Sequence, residues 1–268
     1  MSSINTNINS LNAQRNLAGS ANSLATAMSR LSSGLRVNSA KDDAAGLAIA
    51  ERMNTQTRGM NVAIRNANDA IGLAQTAEGA LGAISANLQR MRELAVQASN
   101  GTNTSTDIGS MDTEYKLLVA ENNRVAAATT FNGTSVIAAA TFTFQVGANS
   151  VAANDQISVT ATSFSGTATT LGTASSTAFA QISALDADIN TVSSARSTWG
   201  ATQNRFDSVI TNLRIGAENS AASRGRIVDA DYAMETANLS RAQVLQQAGT
   251  AMVAQANQAP QSVLALLR

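Results

Sequence analysis

Residues 58–100 read RGMNVAIRNANDAIGLAQTAEGALGAISANLQRMRELAVQASN, and the apolar positions fall at Met60, Ile64, Ala67, Ile71, Ala74, Leu81, Ile84, Leu88, Met91 and Ala95. Steps of three and four keep one stripe of an α-helix turned to one side. At 1.5 Å per residue such a helix extends roughly 60 Å, more than a compact domain of ordinary size requires. This predicts long helices packed along their lengths rather than a thick globular centre.

The same spacing recurs on both sides. Towards the N-terminus, Leu17, Ala21, Leu24, Met28, Leu31 and Leu35 form one stripe, with Ile4, Ile8 and Leu11 slightly out of phase. That segment should end near Gly34, and Ser39 followed by Asp42 predicts a capping box opening the next helix. Beyond the long helix, Asn100-Gly101 predicts a stop and a turn as far as Asp107. Ile108, Met111, Tyr115, Leu118, Asn122 and Val125 then predict a shorter returning helix.

Between 130 and 177 the period changes. TFTFQV at 141–146 and QISVTAT at 156–162 alternate as strands do, which predicts a small hairpin region. The tract SFSGTATTLGTASST at 163–177 is small and polar, and is expected to be an exposed loop or crossover. Helical spacing returns with Ile182, Leu185, Ile189, Val192, Trp199, Phe206, Val209 and Leu213. A last amphipathic segment carries Ile227, Ala230, Met234, Ala237, Val244, Ala248 and Met252, ahead of the only proline, Pro260, and the ending SVLALLR. The fold class expected is mainly α: long antiparallel helices forming a rod, a coiled coil of the terminal helices, and a small β-hairpin region in the middle.

Composition agrees. Of 268 residues 44% are hydrophobic but only 3% aromatic, so alanine, leucine, isoleucine, valine and methionine supply the apolar surface. Eighteen basic residues balance eighteen acidic ones with neither sign in a block, which argues against a nucleic-acid partner. No apolar run approaches the roughly 20 residues that span a bilayer, so membrane insertion is not expected. MSSINTNINSLNAQ has neither the basic nor the apolar region of a cleaved leader, so export by another route is expected of an extracellular chain.

The chemistry of catalysis is sparse. There is no histidine and no cysteine, which removes the commonest general base, metal ligand and nucleophile. No serine sits in G-x-S-x-G or S-x-x-K, and glycine-rich phosphate loops are missing. Asp42 with Asp43, and Asp229 with Asp231, are close in sequence, but neighbours one or two apart on a helix do not converge. The expectation is a non-enzymatic protein with no cofactor and no metal. Two terminal helices, each apolar on one stripe and neither able to bury it alone, should pair with each other or with a partner.

Both ends of the chain resemble bacterial flagellin. The N-terminal likeness lies in LSSGLRVNSAKDDAAGLAIAERM at 31–53, RGMNVAIRNANDAIGLAQTAEGAL at 58–81 and LQRMRELAVQASNGT at 88–102. The C-terminal likeness lies in WGATQNRF at 199–206, SRGRIVDADYAMETANLSRAQVLQQAG at 223–249 and QANQAPQSVLALLR at 255–268. Trp199 stands where the family usually has leucine, and Gly225 interrupts a serine-arginine-isoleucine run, which suggests a hinge there. The large outer domains of many flagellins are missing.

The resemblance implies a subunit that polymerises with itself into the flagellar filament for swimming motility. It also implies extracellular placement, reached unfolded through the flagellum's own export machinery with a chaperone, and contact with the filament cap and junction proteins. The other reading is a hook-filament junction protein. An inner coiled-coil domain of 1–44 with 228–268 and a rod domain of 45–227, its β-hairpin region at about 130–177, are implied. Stripes and resemblance together assign polymerisation to Leu24, Met28, Leu31, Leu35, Met234, Val244, Met252, Leu264, Leu266 and Leu267. The segment Gln89 to Gln97 resembles the patch recognised by the flagellin-sensing Toll-like receptor, with Gln89, Arg90, Leu94 and Glu114 as its residues, also available for subunit packing.

Overall fold

The computed structural model describes residues 6–265, with side chains described for 6–258. Five long helices dominate: α1 (Ile8–Ser33), α2 (Ala44–Ala98), α3 (Ser105–Ala128), α5 (Ser175–Val228) and α6 (Tyr232–Ala265), with α4 (Ala152–Asp155) a single turn. Short strands β1 (Thr130–Phe131) and β2 (Thr134–Ser135) pair with each other, as do β3 (Thr141–Gln145) and β4 (Gln156–Thr160), both antiparallel. The mainly helical fold with its small hairpin region is therefore the one the periodicities predict. The chain divides into two compact units, one drawn from Met1–Thr55 with Asn219–Arg268, the other from Gln56–Glu218.

The larger unit is built on seven-residue repeats. Along α2, Ala63, Ala67, Ala70, Ala74, Ala77, Leu81, Ile84, Leu88, Met91, Ala95 and Ala98 are all buried. Their steps alternate four and three without a slip, the spacing of a coiled-coil seam. Along α5 the buried positions Ala178, Leu185, Val192, Trp199 and Phe206 recur every seventh residue. Trp199 thus fills a core position. The hairpin adds Val146, Ile157 and Val159 to the same core, and the rings of Phe144 and Phe206 meet edge to face at 5.5 Å.

Local chemistry sets the ends. Thr104 caps α3 in a reciprocal capping box with Asp107, whose carboxyl is held below its ordinary range by the Thr104 hydroxyl and backbone amide. The β1–β2 connection is Asn132-Gly133 with φ of 49° and 78°, the left-handed pair that a two-residue hairpin turn demands. Asn122, 2% exposed on α3, accepts from Asn87 of α2 at 2.8 Å and points its own amide at the Met91 sulfur, a single polar contact inside an apolar interface.

Three expectations are corrected. Ser39 does not cap a helix: the Asp42 carboxylate accepts from the Asn38 and Ser39 amides and the Ser39 hydroxyl, closing a turn instead. Helix α2 opens at Ala44, where Asp43 accepts from the Gly46 amide at 2.8 Å, and runs without a break through the stretch expected to begin at Arg58. Helix α6 continues through Pro260 to Ala265.

A further correction concerns the polar tract at 163–177, a crossover but not simply an exposed one. Ala168 and Leu171 are buried at 2% and 0% exposure. Two buried carboxylates clasp it. Asp188 of α5 accepts from the Thr167 amide at 2.9 Å and its hydroxyl at 3.0 Å, and Asp112 of α3 accepts from the Thr170 hydroxyl at 2.7 Å and the Leu171 amide at 2.8 Å. Burial pushes the Asp112 carboxyl up, but hydrogen bonds from Lys116, Thr170 and Leu171, with the Lys116 charge, outweigh it and hold it below the ordinary carboxylate range. Tyr115 lies fully buried beside both, its phenol pushed up by burial and by the Asp188 and Asp112 charges.

Because the Asp112 carboxyl is depressed in the fold, the stabilisation it contributes is complete above the ordinary carboxylate range and is lost as pH falls through its lowered value. Asp188→Asn, which turns one accepting oxygen into a donor, is expected to cost about 1–3 kcal/mol, the range for leaving a buried donor unsatisfied. Urea unfolding at neutral pH measures it, and an unchanged midpoint would mean that the crossover is not held by this residue.

Candidate assembly surface

In the smaller unit α1 and α6 pack antiparallel. Asn7 donates to the Ala256 carbonyl at 2.7 Å, the Ser10 hydroxyl donates to Asn257 at 2.8 Å, and Tyr232 reaches the Leu31 carbonyl at 3.3 Å. Gly34 ends α1 in the left-handed conformation, its amide bonded to the Arg30 carbonyl. Leu35 then bridges Asp229, and Arg36 and Ala230 exchange backbone hydrogen bonds with Val228 and Gly34. The chain between α1 and α2 is thereby tied to the chain between α5 and α6.

The seam is narrower than the apolar stripes predict. On α1 it includes Ser10, Ala13, Leu17, Ser20, Leu24, Ala27 and Leu31, and on α6 Glu235, Leu239, Ala242, Gln246, Gly249, Val253 and Ala256, each buried or half-buried. The α6 residues alternate in steps of four and three, with Ala242, Gly249 and Ala256 as the small members and Leu239 and Val253 as the large apolar ones. A methyl group on Gly249 would come within 3.1 Å of Leu17 Cδ1, so the two backbones approach closely there. Sequence reading found Leu17, Leu24 and Leu31 on the α1 side but missed the α6 side, where the exposed Met234, Val244 and Met252 drew the stripe.

Those larger residues face outwards. Met28 is 57% exposed, Met234 63%, Val244 65%, Leu245 51% and Met252 61%, with Ile8 at 63% and Leu11 at 52%. Of the residues assigned to polymerisation, Leu24, Leu31 and Leu35 are half-buried within the unit, whereas Met28, Met234, Val244 and Met252 present apolar surface to solvent. The Leu264 side chain, Leu266 and Leu267 lie outside the described residues. Among the described residues no helix is long and apolar enough to cross a membrane.

On the larger unit, α3 folds back so that Glu114 meets Arg90 at 2.9 Å, with Glu93 at 3.0 Å on the other side of the guanidinium. Hydrogen bonds and charge from Glu114 and Glu93 raise the Arg90 pKa further. Gln89, Arg90 and Glu114 are exposed, while Leu94 is 2% exposed and belongs to the core. Gly225 lies inside α5, three residues before its end at Val228, and its carbonyl accepts from the Asp229 amide.

Comparison with known proteins matches this architecture at both ends. Residues 4–141 match the bacterial flagellin N-terminal helical region, and residues 182–267 match the bacterial flagellin C-terminal helical region. A flagellin of Halalkalibacterium halodurans is 45% identical over 271 residues, covering 99% of each chain. The flagellar filament 33 kDa core protein of Treponema phagedenis is 38% identical over 285 residues, again covering 99% of each. The crystal structure of Bacillus cereus flagellin superimposes with a TM-score of 0.51 at 37% identity, covering 60% of this chain and 94% of that one. With both helical regions matched in order and relatives aligned from end to end, the chain belongs to the bacterial flagellins.

Proposed function

We propose that this flagellin polymerises into the filament through the outward faces of α1 and α6, using Met28, Met234, Val244 and Met252, together with the C-terminal Leu264, Leu266 and Leu267. One observation carries the reading: beside the seam between the two helices, Met28, Met234, Val244, Leu245 and Met252 all stand more than half exposed to water. Covering a methionine or valine fully contributes about 1.5–3 kcal/mol, so several such side chains meeting a neighbour give a substantial drive. A contact that joins different surfaces of successive copies generates an open helix rather than a closed ring. Leu24, Leu31 and Leu35 act one step back, holding the pair together so that the outward faces are presented.

The role is structural rather than catalytic, at the extracellular flagellum. Residues 1–44 with 228–268 form the inner part of the assembly and 45–227 the outer part, with export through the flagellum's own machinery. A chaperone, the cap and junction proteins are its transient partners. Gln89, Arg90 and Glu114 are the side chains on offer to the flagellin-sensing Toll-like receptor on the free subunit. The junction-protein reading is not favoured, since the end-to-end relatives are flagellins and a filament core protein.

Electron microscopy of short filament seeds mixed with the full chain, or with a chain lacking residues 255–268, tests the reading. Long filaments are expected from the first and none from the second. A full-length chain that fails to extend seeds would overturn it. The hinge proposed at Gly225 has its own test. Gly225→Ala is expected to stabilise the helix by about 1 kcal/mol and to alter filament shape, since the added methyl meets only the far end of the exposed Asp229 side chain. A filament of unchanged shape and stability counts against a hinge there.

A further inference from the structure

We propose that Met28, Met234 and Met252 make assembly sensitive to oxidation: a peroxide-class oxidant converts these thioethers to sulfoxides on the free subunit and prevents it from joining the polymer. The inference rests on the assembly reading above.

The chain has eight methionines, no cysteine and no histidine, so thioether sulfur is the only sulfur it offers to an oxidant. Its placement is uneven. Met91 is 1% exposed in the core of the larger unit, and Met60 and Met111 are half-buried there. Met28, Met234 and Met252 are 57%, 63% and 61% exposed, all on α1 or α6. Met252 lines an apolar depression between those helices together with Leu245, Ala248 and Gly249. Met53 is half-buried on α2, so among the described residues the exposed thioethers are those on the surface assigned to subunit contact.

The chemistry is a two-electron oxygen transfer. The sulfur lone pair attacks one peroxide oxygen, the O–O bond breaks, that oxygen stays on sulfur, and the other leaves as water. A flexible apolar side chain becomes a polar one with a strong hydrogen-bond acceptor. In the free subunit it faces water at little cost. Against an apolar neighbour that brings no donor, its burial is penalised three times over. Access runs the opposite way: assembly covers the three sulfurs, so the polymer shields what the free subunit exposes. The lesion is reversible, because sulfoxide reductases return the thioether.

The test treats the full chain with hydrogen peroxide, locates added oxygen by peptide mass spectrometry, and follows seed elongation against the same protein untreated. Oxygen is expected at positions 28, 234 and 252 with Met91 unmodified. Elongation should slow by about tenfold or more. Methionine sulfoxide reductases of both stereospecificities, with a thiol reductant, should restore the rate. A chain carrying Met28→Leu, Met234→Leu and Met252→Leu, compared only with its own untreated rate, should not respond to peroxide. Modification of all three with no slowing, no modification of them, no rescue by the reductases, or an equal response in the triple variant would each overturn the proposal. An untreated chain that fails to extend seeds sinks the assembly reading before peroxide is added, so the two failures are told apart.

Discussion

Replacing Val244 or Met252 by aspartate is expected to raise the concentration needed for polymerisation by about a hundredfold or more, while the free subunit keeps its helix content. Both side chains are more than half exposed, so in the free subunit a carboxylate there remains hydrated. The cost at such a surface position is usually within about 0.5 kcal/mol. In the polymer the same substitution forfeits the burial of an apolar side chain and asks a charge to leave water, together about 3 kcal/mol or more. The contrast is with Ala242, 4% exposed in the seam, where aspartate would disturb the free subunit itself. Sedimentation of polymer against concentration, beside circular dichroism of the free chain, separates the cases. Polymerisation of Val244→Asp at the wild-type concentration would move the contact to another face.

Phe206→Ala is expected to destabilise the larger unit by about 3–5 kcal/mol, the range for deleting a fully buried ring. Phe206 has no exposed surface, and its ring stands at 86° to that of Phe144 from the hairpin, so the substitution opens a cavity and removes an edge-to-face contact together. Phe179, 69% exposed on the same helix, is the control: Phe179→Ala should change stability by less than about 0.5 kcal/mol. Urea unfolding of both chains checks the pair. Equal small effects would mean that β3 does not pack on α5.

How far the sequence could be read depended on how local the cause was. Helices α2 and α5 were legible because their buried alanines and large apolar residues share one seven-residue repeat, and such repeats survive without knowledge of the partner. Strands β3 and β4 were legible because Phe142 and Phe144 alternate with threonines, and Ile157 and Val159 with polar neighbours. The start of α2 was misread because Ser39 and Asp42 have capping-box spacing but use their hydrogen bonds in a turn, leaving the cap to Asp43. The crossover was misread because its anchors, Asp112 and Asp188, lie far along the chain from one side or well beyond the tract on the other, and no local pattern marks a threonine that will be clasped.

The assembly surface was legible in part, for a physical reason. A hydrophobic stripe marks apolar area but does not say what covers it. On α6 Ala242, Gly249 and Ala256 are buried or half-buried along with Leu239 and Val253, whereas the bulky Met234, Val244, Leu245 and Met252 beside them are exposed. Likewise Arg90 could be paired with Glu114 only once the turn after Ala98 had folded α3 back, and Leu94, on the same helix as Arg90, turned out to serve the core.

The account's central claim is that neighbouring copies cover the outward faces of α1 and α6. Electron cryomicroscopy of filaments grown from the full chain tests it most directly, by the exposure of Met28, Met234, Val244 and Met252 in the assembled state. The account predicts that all four are buried against other copies. Filaments in which these side chains still face solvent, with the subunits held together elsewhere, would contradict it.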